Sequence, residues 1–284
     1  MKKESCVLMG MAVGIIVFST SCSKERTVTT DTSTDYFTAE EASNDLLRQS
    51  SDAVTANQVD KSWRTQPQQS FQLTGGCATV TVIPDSVSGW FPVTYIIDFG
   101  TTNCQGADGK YRRGKIKVIL TGKYRDPGTI IKIIPDGYYV NDKKVEGTLP
   151  DGEAKKLENK GLNSSGNIYF NVTEGIKITR PDGKIVTWKS SRVREWVAGY
   201  PTITPFDDEY DITGNGEGEN KNGVHFTVTI TKAIHVKVGC PWPVSGTLEI
   251  EPDGYKKRTL DFGNGNCDNE ATLTIGNKTI KISI

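Results

Sequence analysis

The sequence predicts an all-β protein, an antiparallel meander forming a sandwich or an open barrel, preceded by one N-terminal amphipathic helix. Three observations predict it. From about residue 75 to the end, apolar and polar residues alternate with period two, as half-buried strands do. The alternation is broken every 8 to 12 residues by Gly, Asn, Asp or Pro, the punctuation of hairpins. A helical stripe occurs once, over residues 39 to 58, and no later helix offers the crossovers a parallel sheet needs.

The chain opens with Lys2 and Lys3, an uncharged and mostly apolar run from Cys6 to Phe18, and the small residues Ser19, Thr20 and Ser21 before Cys22. This is the layout of an export signal, too short to span a bilayer core that needs roughly 20 apolar residues. With a cysteine directly after the small residues, it resembles a bacterial lipoprotein signal. The resemblance implies a signal peptide over residues 1–21, cleavage before Cys22 and lipidation of that residue, hence contact with the membrane through an N-terminal lipid. Several acyl chains, each methylene contributing about 0.8 kcal/mol, anchor a protein durably. Ser23 stands where many inner-membrane lipoproteins carry Asp, which by resemblance favours the outer membrane, on its periplasmic or its cell-surface face.

Residues 22–37 are rich in Thr, Ser and Asp, too polar to offset the entropy of ordering, and read as a flexible tether. A helix is expected over residues 38–60. Thr38 and Glu41 have the spacing of a capping box, and Ala42, Leu46, Leu47, Ala53 and Val54 fall on one stripe. Residues 61–284 form the β domain. Its clearest strand is Lys115 to Tyr124, with Ile116, Val118, Leu120 and Tyr124 facing inward, and the pattern recurs in Ile168-Phe170-Val172, Phe226-Val228-Ile230 and Ile280-Ile282-Ile284. Pro181-Asp182-Gly183, Asn222-Gly223 and Pro252-Asp253-Gly254 supply turns.

Charge excludes one class of partner. The chain has 34 basic and 34 acidic residues, and loss of residues 1–21 removes two lysines and one glutamate, leaving the mature chain at net −1. A nucleic-acid binder shows a basic excess, so no nucleic acid is expected.

With Cys6 removed and Cys22 lipidated, four cysteines remain, and their surroundings are duplicated. Gly76-Cys77, Asp98-Phe99-Gly100 and Asn103-Cys104 recur as Gly239-Cys240, Asp261-Phe262-Gly263 and Asn266-Cys267, at a constant offset of 163 residues. Four cysteines allow three connectivities, and the repeat favours Cys77 with Cys104 and Cys240 with Cys267. Cystine hairpins are therefore expected near 77–104 and 240–267, each worth about 3.5 kcal/mol in the chain-entropy model. Structural zinc would place cysteines in close pairs, which are absent, so neither a metal nor another cofactor is expected. Asp-Phe-Gly resembles the magnesium motif of protein kinases, but the Gly-rich loop and His-Arg-Asp loop are lacking, and the motif reads as a bulge or turn at a strand end.

Candidate chemistry is sparse. His225 and His235 share the parity of solvent-facing Thr residues, and no Gly-x-Ser-x-Gly accompanies them. Asp207-Asp208-Glu209-x-Asp211 is the densest acidic run, suited to calcium or to glycoside hydrolysis but read first as a solvated loop entering a strand. Trp188, Arg192, Arg194 and Trp196 share one face of a strand, and indoles beside guanidinium groups form either a glycan-binding surface or a stabilising outer face. Asp85-Ser86-Val87 resembles a three-residue O-glycosylation acceptor of Bacteroidota, which makes Ser86 a candidate modification site.

The leader, Gly114-Lys115-Ile116-Lys117-Val118 leading to Thr121-Gly122-Lys123-Tyr124, Arg194-Glu195-Trp196 and the 261–268 segment together resemble a group of uncharacterised Bacteroidota cell-envelope lipoproteins. The resemblance implies an envelope setting and carries over no catalytic residue. The expectation is a membrane-anchored, non-catalytic outer-membrane lipoprotein with an envelope-structural role or a glycan or protein partner. The alternative is a glycan-binding or glycan-hydrolysing surface lipoprotein.

Overall fold

Alternation of this kind has to resolve into a ladder with one dry face. The computed structural model of the protein describes residues 30–58, 69–72, 77–85, 90–202 and 205–284. Helix α1 (Asp31–Gln58) is followed by strands β1 (Gln69–Gln72), β2 (Thr79–Pro84), β3 (Val93–Asp98), β4 (Cys104–Gln105), β5 (Tyr111–Leu120), β6 (Ile130–Val140), β7 (Lys143–Gly147) and β8 (Lys155–Leu162). Then come β9 (Ile168–Thr179), β10 (Ile185–Ala198), β11 (Glu209–Glu219), β12 (His225–Lys237), β13 (Ser245–Pro252), β14 (Arg258–Asn264), β15 (Glu270–Ile275) and β16 (Lys278–Ser283). They form one antiparallel meander in the order β1-β2-β3-β5-β6-β7-β9-β10-β11-β12-β13-β14-β15-β16, with β4 beside β5 and β8 between β6 and β9. The fold is all-β, as expected. Among the described residues β1 pairs only with β2 and β16 only with β15, so the ladder stays open.

Short β7 and β8 lie in succession between the long strands β6 and β9. The excursion from Thr148 to Ala154 that separates them sets the register of β8, in which Lys155 stands opposite Glu174 of β9. Directly opposed residues share a face. Ser190 of β10 is in turn opposite Glu174, so Lys155, Glu174 and Ser190 form an inward row across three strands.

The inner face of the sheet and α1 enclose one core that includes Ile97, Ile116, Ile133, Leu157, Phe170, Trp188, Phe226, Leu248, Leu260 and Leu273. Ala42, Leu46 and Ala53 are buried along the expected stripe, with Leu47 and Val54 packed at its margin. Thr32, Ser33, Asp35, Thr38, Ser43, Asp45, Gln49 and Ser50 are buried as well. At 100° per residue the buried positions sweep roughly two-thirds of the helix circumference, far more than an ordinary amphipathic stripe. The sheet thus holds α1 as in a trough.

Two expectations about this segment are corrected. The helix begins at Asp31, inside the stretch read as tether, and Thr38 is an interior residue whose hydroxyl donates to Thr34 O (3.1 Å) rather than capping an end. The extra turns are held by polar contacts with hairpin tips. Asn220 Nδ2 donates to Thr32 Oγ1 (3.0 Å), and the Lys221 amide donates to Asp35 Oδ2 (2.9 Å). A composition argument weighs apolar content and is blind to such partners.

Ile116, Val118 and Leu120 are buried as expected, although the strand stops at Leu120 and Tyr124 packs from the following loop. β16 departs further. It is an edge strand, and Ile280 is 43% exposed because nothing described lies across that end of the sheet.

Both expected cystines are present, Cys77–Cys104 and Cys240–Cys267, with Cα separations of 5.7 and 5.8 Å. In each copy the Asp of Asp-Phe-Gly accepts the amide of the Gly two residues on, Gly100 to Asp98 and Gly263 to Asp261, both at 2.8 Å. These glycines have φ of 79° and 89°, the left-handed turn that favours glycine. Phe99 and Phe262 are buried. The two copies are not superposable in register: Thr79 pairs with Asp98, whereas Thr247 pairs with Asp261, five residues later than the repeat would place it. Pro241 and Pro243 lack the amide a strand needs, so β13 waits until Ser245.

Register also places the copies at opposite ends of the sheet. β3 runs toward Asp98, beside Lys115 and, through it, Asp136. β14 runs toward Asn264, beside Ser245 and, through it, His235 at the other end.

Candidate functional site

Trp188, Arg192, Arg194 and Trp196 do share a face of β10, but it is the inner one. Trp188 is fully buried and Trp196 2% exposed, while Val193, of opposite parity, is 36% exposed. An outer ligand face or outer stabilising face of these four residues is therefore corrected. Packing fixes the choice: Trp188 lies between Tyr36 of α1 (ring centroids 5.3 Å, edge-on) and Phe226 of β12 (6.0 Å, stacked). Its ring occupies space that Gly216 of β11 leaves free, where an added Cβ would lie 2.4 Å from the indole. Alternating glycines at 214, 216 and 218 were the signal for this close approach.

Beneath α1 the side chains form a charged network around Glu174. Its carboxylate accepts from Lys155 Nζ (2.6 Å), Ser43 Oγ (2.8 Å), Ser190 Oγ (2.7 Å) and Trp188 Nε1 (3.2 Å). Burial alone would raise this carboxyl, but Lys155, Arg192 and these hydrogen bonds hold it well below the usual carboxylate range. Arg192 donates from both terminal nitrogens to Glu40 of α1, at 2.5 and 2.9 Å. A second node joins Asp45 of α1 to Arg112 (2.5 Å), Tyr138 Oη (2.5 Å) and Arg48 (3.1 Å). Arg112 also binds Asp108, whose carboxyl is lowered mainly by that guanidinium.

Farther along β10 the arrangement changes. Trp196 stacks on Tyr210 (5.6 Å), meets Tyr200 (5.5 Å) and Tyr124 (5.9 Å) edge-on, and donates Nε1 to Asp208 (3.2 Å). Arg125 lies 4.9 Å over Trp196 and donates to the carbonyls of Tyr200 (2.8 Å) and Thr202 (2.6 Å). Arg194 lies 3.6 Å over Tyr210 and, among the described residues, forms no ion pair. Tyr200 is 45% exposed at the rim.

The acidic run splits across the sheet instead of converging. Asp207 is an exposed turn residue that accepts from Thr202 (2.9 Å), and Asp208 is buried against Trp196, its carboxyl raised chiefly by burial. Asp211 and Glu209 face outward onto the two ring nitrogens of His235, at 2.6 and 3.0 Å. Both histidines are half-buried: the His225 side chain is the more open at 43% exposed, and His235 sits between these carboxylates at 23%. Cys22 and Ser86 lie outside the described residues. Among the described residues no helix is long and apolar enough to cross a membrane.

No family model, no curated protein and no solved structure matches the chain.

Proposed function

We propose that the protein is a membrane-anchored, non-catalytic lipoprotein of the outer membrane with an envelope-structural or binding role. One observation carries this reading: the buried carboxylates of Glu174 and Asp45 are engaged by donors of the fold itself. Glu174 receives four donors and Asp45 is enclosed by Arg112, Tyr138 and Arg48. A general base or nucleophile needs a lone pair aimed at substrate, and these lone pairs are aimed at the fold. The anchor reading fits the position of the helix start. Only residues 23–30 separate Cys22 from Asp31, a contour of at most about 32 Å, so a lipid on Cys22 holds the 180–183 and 220–223 turns toward the bilayer.

Mass spectrometry of protein from its native host tests the anchor: an acylated N-terminal cysteine at position 22 is expected, and an intact leader rejects it. The non-catalytic part is tested on polysaccharides and chromogenic glycosides. Turnover abolished by Asp207→Asn or Asp211→Asn overturns it.

A second reading has its own observation. Among the described residues the Arg194 guanidinium stacks on Tyr210 and forms no ion pair, and exposed Tyr200 rims the same aromatic cluster through Trp196, which suits an acidic glycan at that end of the sheet. Trp188, Arg192 and Trp196 are enclosed inside the fold and leave this reading; only Arg194, half-buried near the rim, stays. Loss of glycan binding in Arg194→Ala under conditions where the variant is fully folded supports it, and equal binding by wild type and variant rejects it.

A further inference from the structure

Among the described residues Arg180, Arg192, Arg194 and Arg258 each enclose Nε where no acceptor reaches it. Three of them place a terminal nitrogen on an acceptor instead: Arg180 on Asp35, Arg192 on Glu40 and Arg258 on the Lys256 carbonyl. Arg194 does not. None of its nitrogens has a hydrogen-bond or ion-pair partner among the described residues. The reason lies in the register. Its cross-strand neighbours are Phe170 of β9 and Ile212 of β11, both apolar, and α1 has already given Glu40 to Arg192. Asp208, the acid of the adjoining aromatic cluster, is occupied by Trp196 Nε1 (3.2 Å) and Tyr210 Oη (3.5 Å). A guanidinium partly withdrawn from water without an acceptor is costly, and native folds rarely leave one so.

Tyr210 covers one face of the group at 3.6 Å, so what stays on offer is its in-plane edge. With Nε enclosed, that edge is the pair of terminal nitrogens, and the half-burial of Arg194 leaves it an opening to solvent. We propose that this edge is the binding site for the carboxylate of a uronic-acid-type sugar, an inference that rests on the acidic-glycan reading above and names its acid group. Two parallel N–H groups match the two oxygens of a carboxylate. The other donors of the cluster are spent, Trp196 and Tyr210 on Asp208 and Arg125 on the carbonyls of Tyr200 and Thr202. A sulfate or phosphate ester would therefore bring a further charged oxygen into a site with nothing to bind it. A sugar is the fitting carrier, because the loop whose carbonyls hold Arg125 exposes two rings on which a pyranose can lie, Tyr200 at 45% and Phe206 at 78%.

The test titrates full-length protein by calorimetry with oligosaccharides of galacturonate, glucuronate and mannuronate, each beside its methyl ester, and with a sulfated galactan and oligoglutamate. At least one uronate is expected to bind, with its methyl ester and the sulfated galactan weaker by about tenfold or more. Arg194→Ala and Arg194→Lys should each lose about tenfold or more while remaining folded by circular dichroism. Sulfated galactan bound as tightly as the uronates, and lost in Arg194→Ala, overturns the carboxylate assignment while the acidic-glycan reading stands. No acidic glycan bound overturns both. Full binding by Arg194→Lys overturns the two-nitrogen grip and with it the inference, and oligoglutamate bound as tightly as the uronates overturns the sugar assignment.

Discussion

The two halves of β10 bury the same residue types by different means. At Trp188 and Arg192 the cation meets a carboxylate from α1, and the indole donates to Glu174. At Arg194 and Trp196 the cations meet ring faces, and the loop carbonyls of Tyr200 and Thr202 serve Arg125. The first half is completed by a separate element, the second by the sheet and its own loops. A buried charge matched by another charge is costly to break, because removing one partner strands the other in a dry site. A cation on a π face contributes less and leaves nothing stranded when removed.

That contrast predicts the largest effect at Glu174. Glu174→Gln keeps the shape but leaves the Lys155 ammonium unneutralised at 4% exposure, and a loss of about 3–5 kcal/mol is expected from urea unfolding. Adding Lys155→Met should recover most of it. The same carboxylate makes stability acid-sensitive. Its folded pKa lies below the unfolded value of about 4.3, so its contribution is complete above that value and is lost as pH falls toward the folded one. The urea midpoint of wild type should therefore drop between pH 5 and pH 3 more steeply than that of Glu174→Gln. Parallel slopes would show that Glu174 is not the source.

The cystines come next. Replacing Cys77 with Cys104, or Cys240 with Cys267, by serine pairs should each cost about 3.5 kcal/mol, since both loops span 27 residues. The first bridge lies at the end of the sheet where Asp45 and Arg112 bind α1, so its loss should also speed exchange of α1 amides in hydrogen-exchange measurements. Loss of the second should leave α1 protection unchanged.

What the sequence made legible follows the same division. Strands, cystines and the Asp-Phe-Gly turns are local or repeated, and period-two parity with a constant offset finds them. Parity says which residues share a face but not which face is inside, and so Trp188 and Arg192 read as a surface. The choice was made by residues far along the chain: Glu40 lies 152 positions from Arg192, and Asp35 145 from Arg180. The early start of α1 escaped for the same reason, because Thr32 and Asp35 are ordered by Asn220 and Lys221 rather than by apolar neighbours. Glycines alternating opposite a tryptophan were available as a clue to burial.

A smaller effect belongs to the arginine shared with the helix. Arg192→Ala strands Glu40, which keeps partial access to water, and should cost about 2–3 kcal/mol by urea unfolding. Arg192→Lys should recover little of this, since an ammonium cannot reproduce the two-nitrogen grip on Glu40.

The smallest effect is expected at the other half of the strand. Arg194→Ala removes a guanidinium 3.6 Å above Tyr210 that forms no ion pair among the described residues, so only the cation–π attraction and some packing are lost, about 1 kcal/mol. Arg194→Lys should retain part of that, because an ammonium also sits well on a ring face, the reverse of the expectation at Arg192. If thermal unfolding instead shows Arg194→Ala as damaging as Arg192→Ala, the cation at this end has a charged partner as well, and the two halves of β10 are built alike.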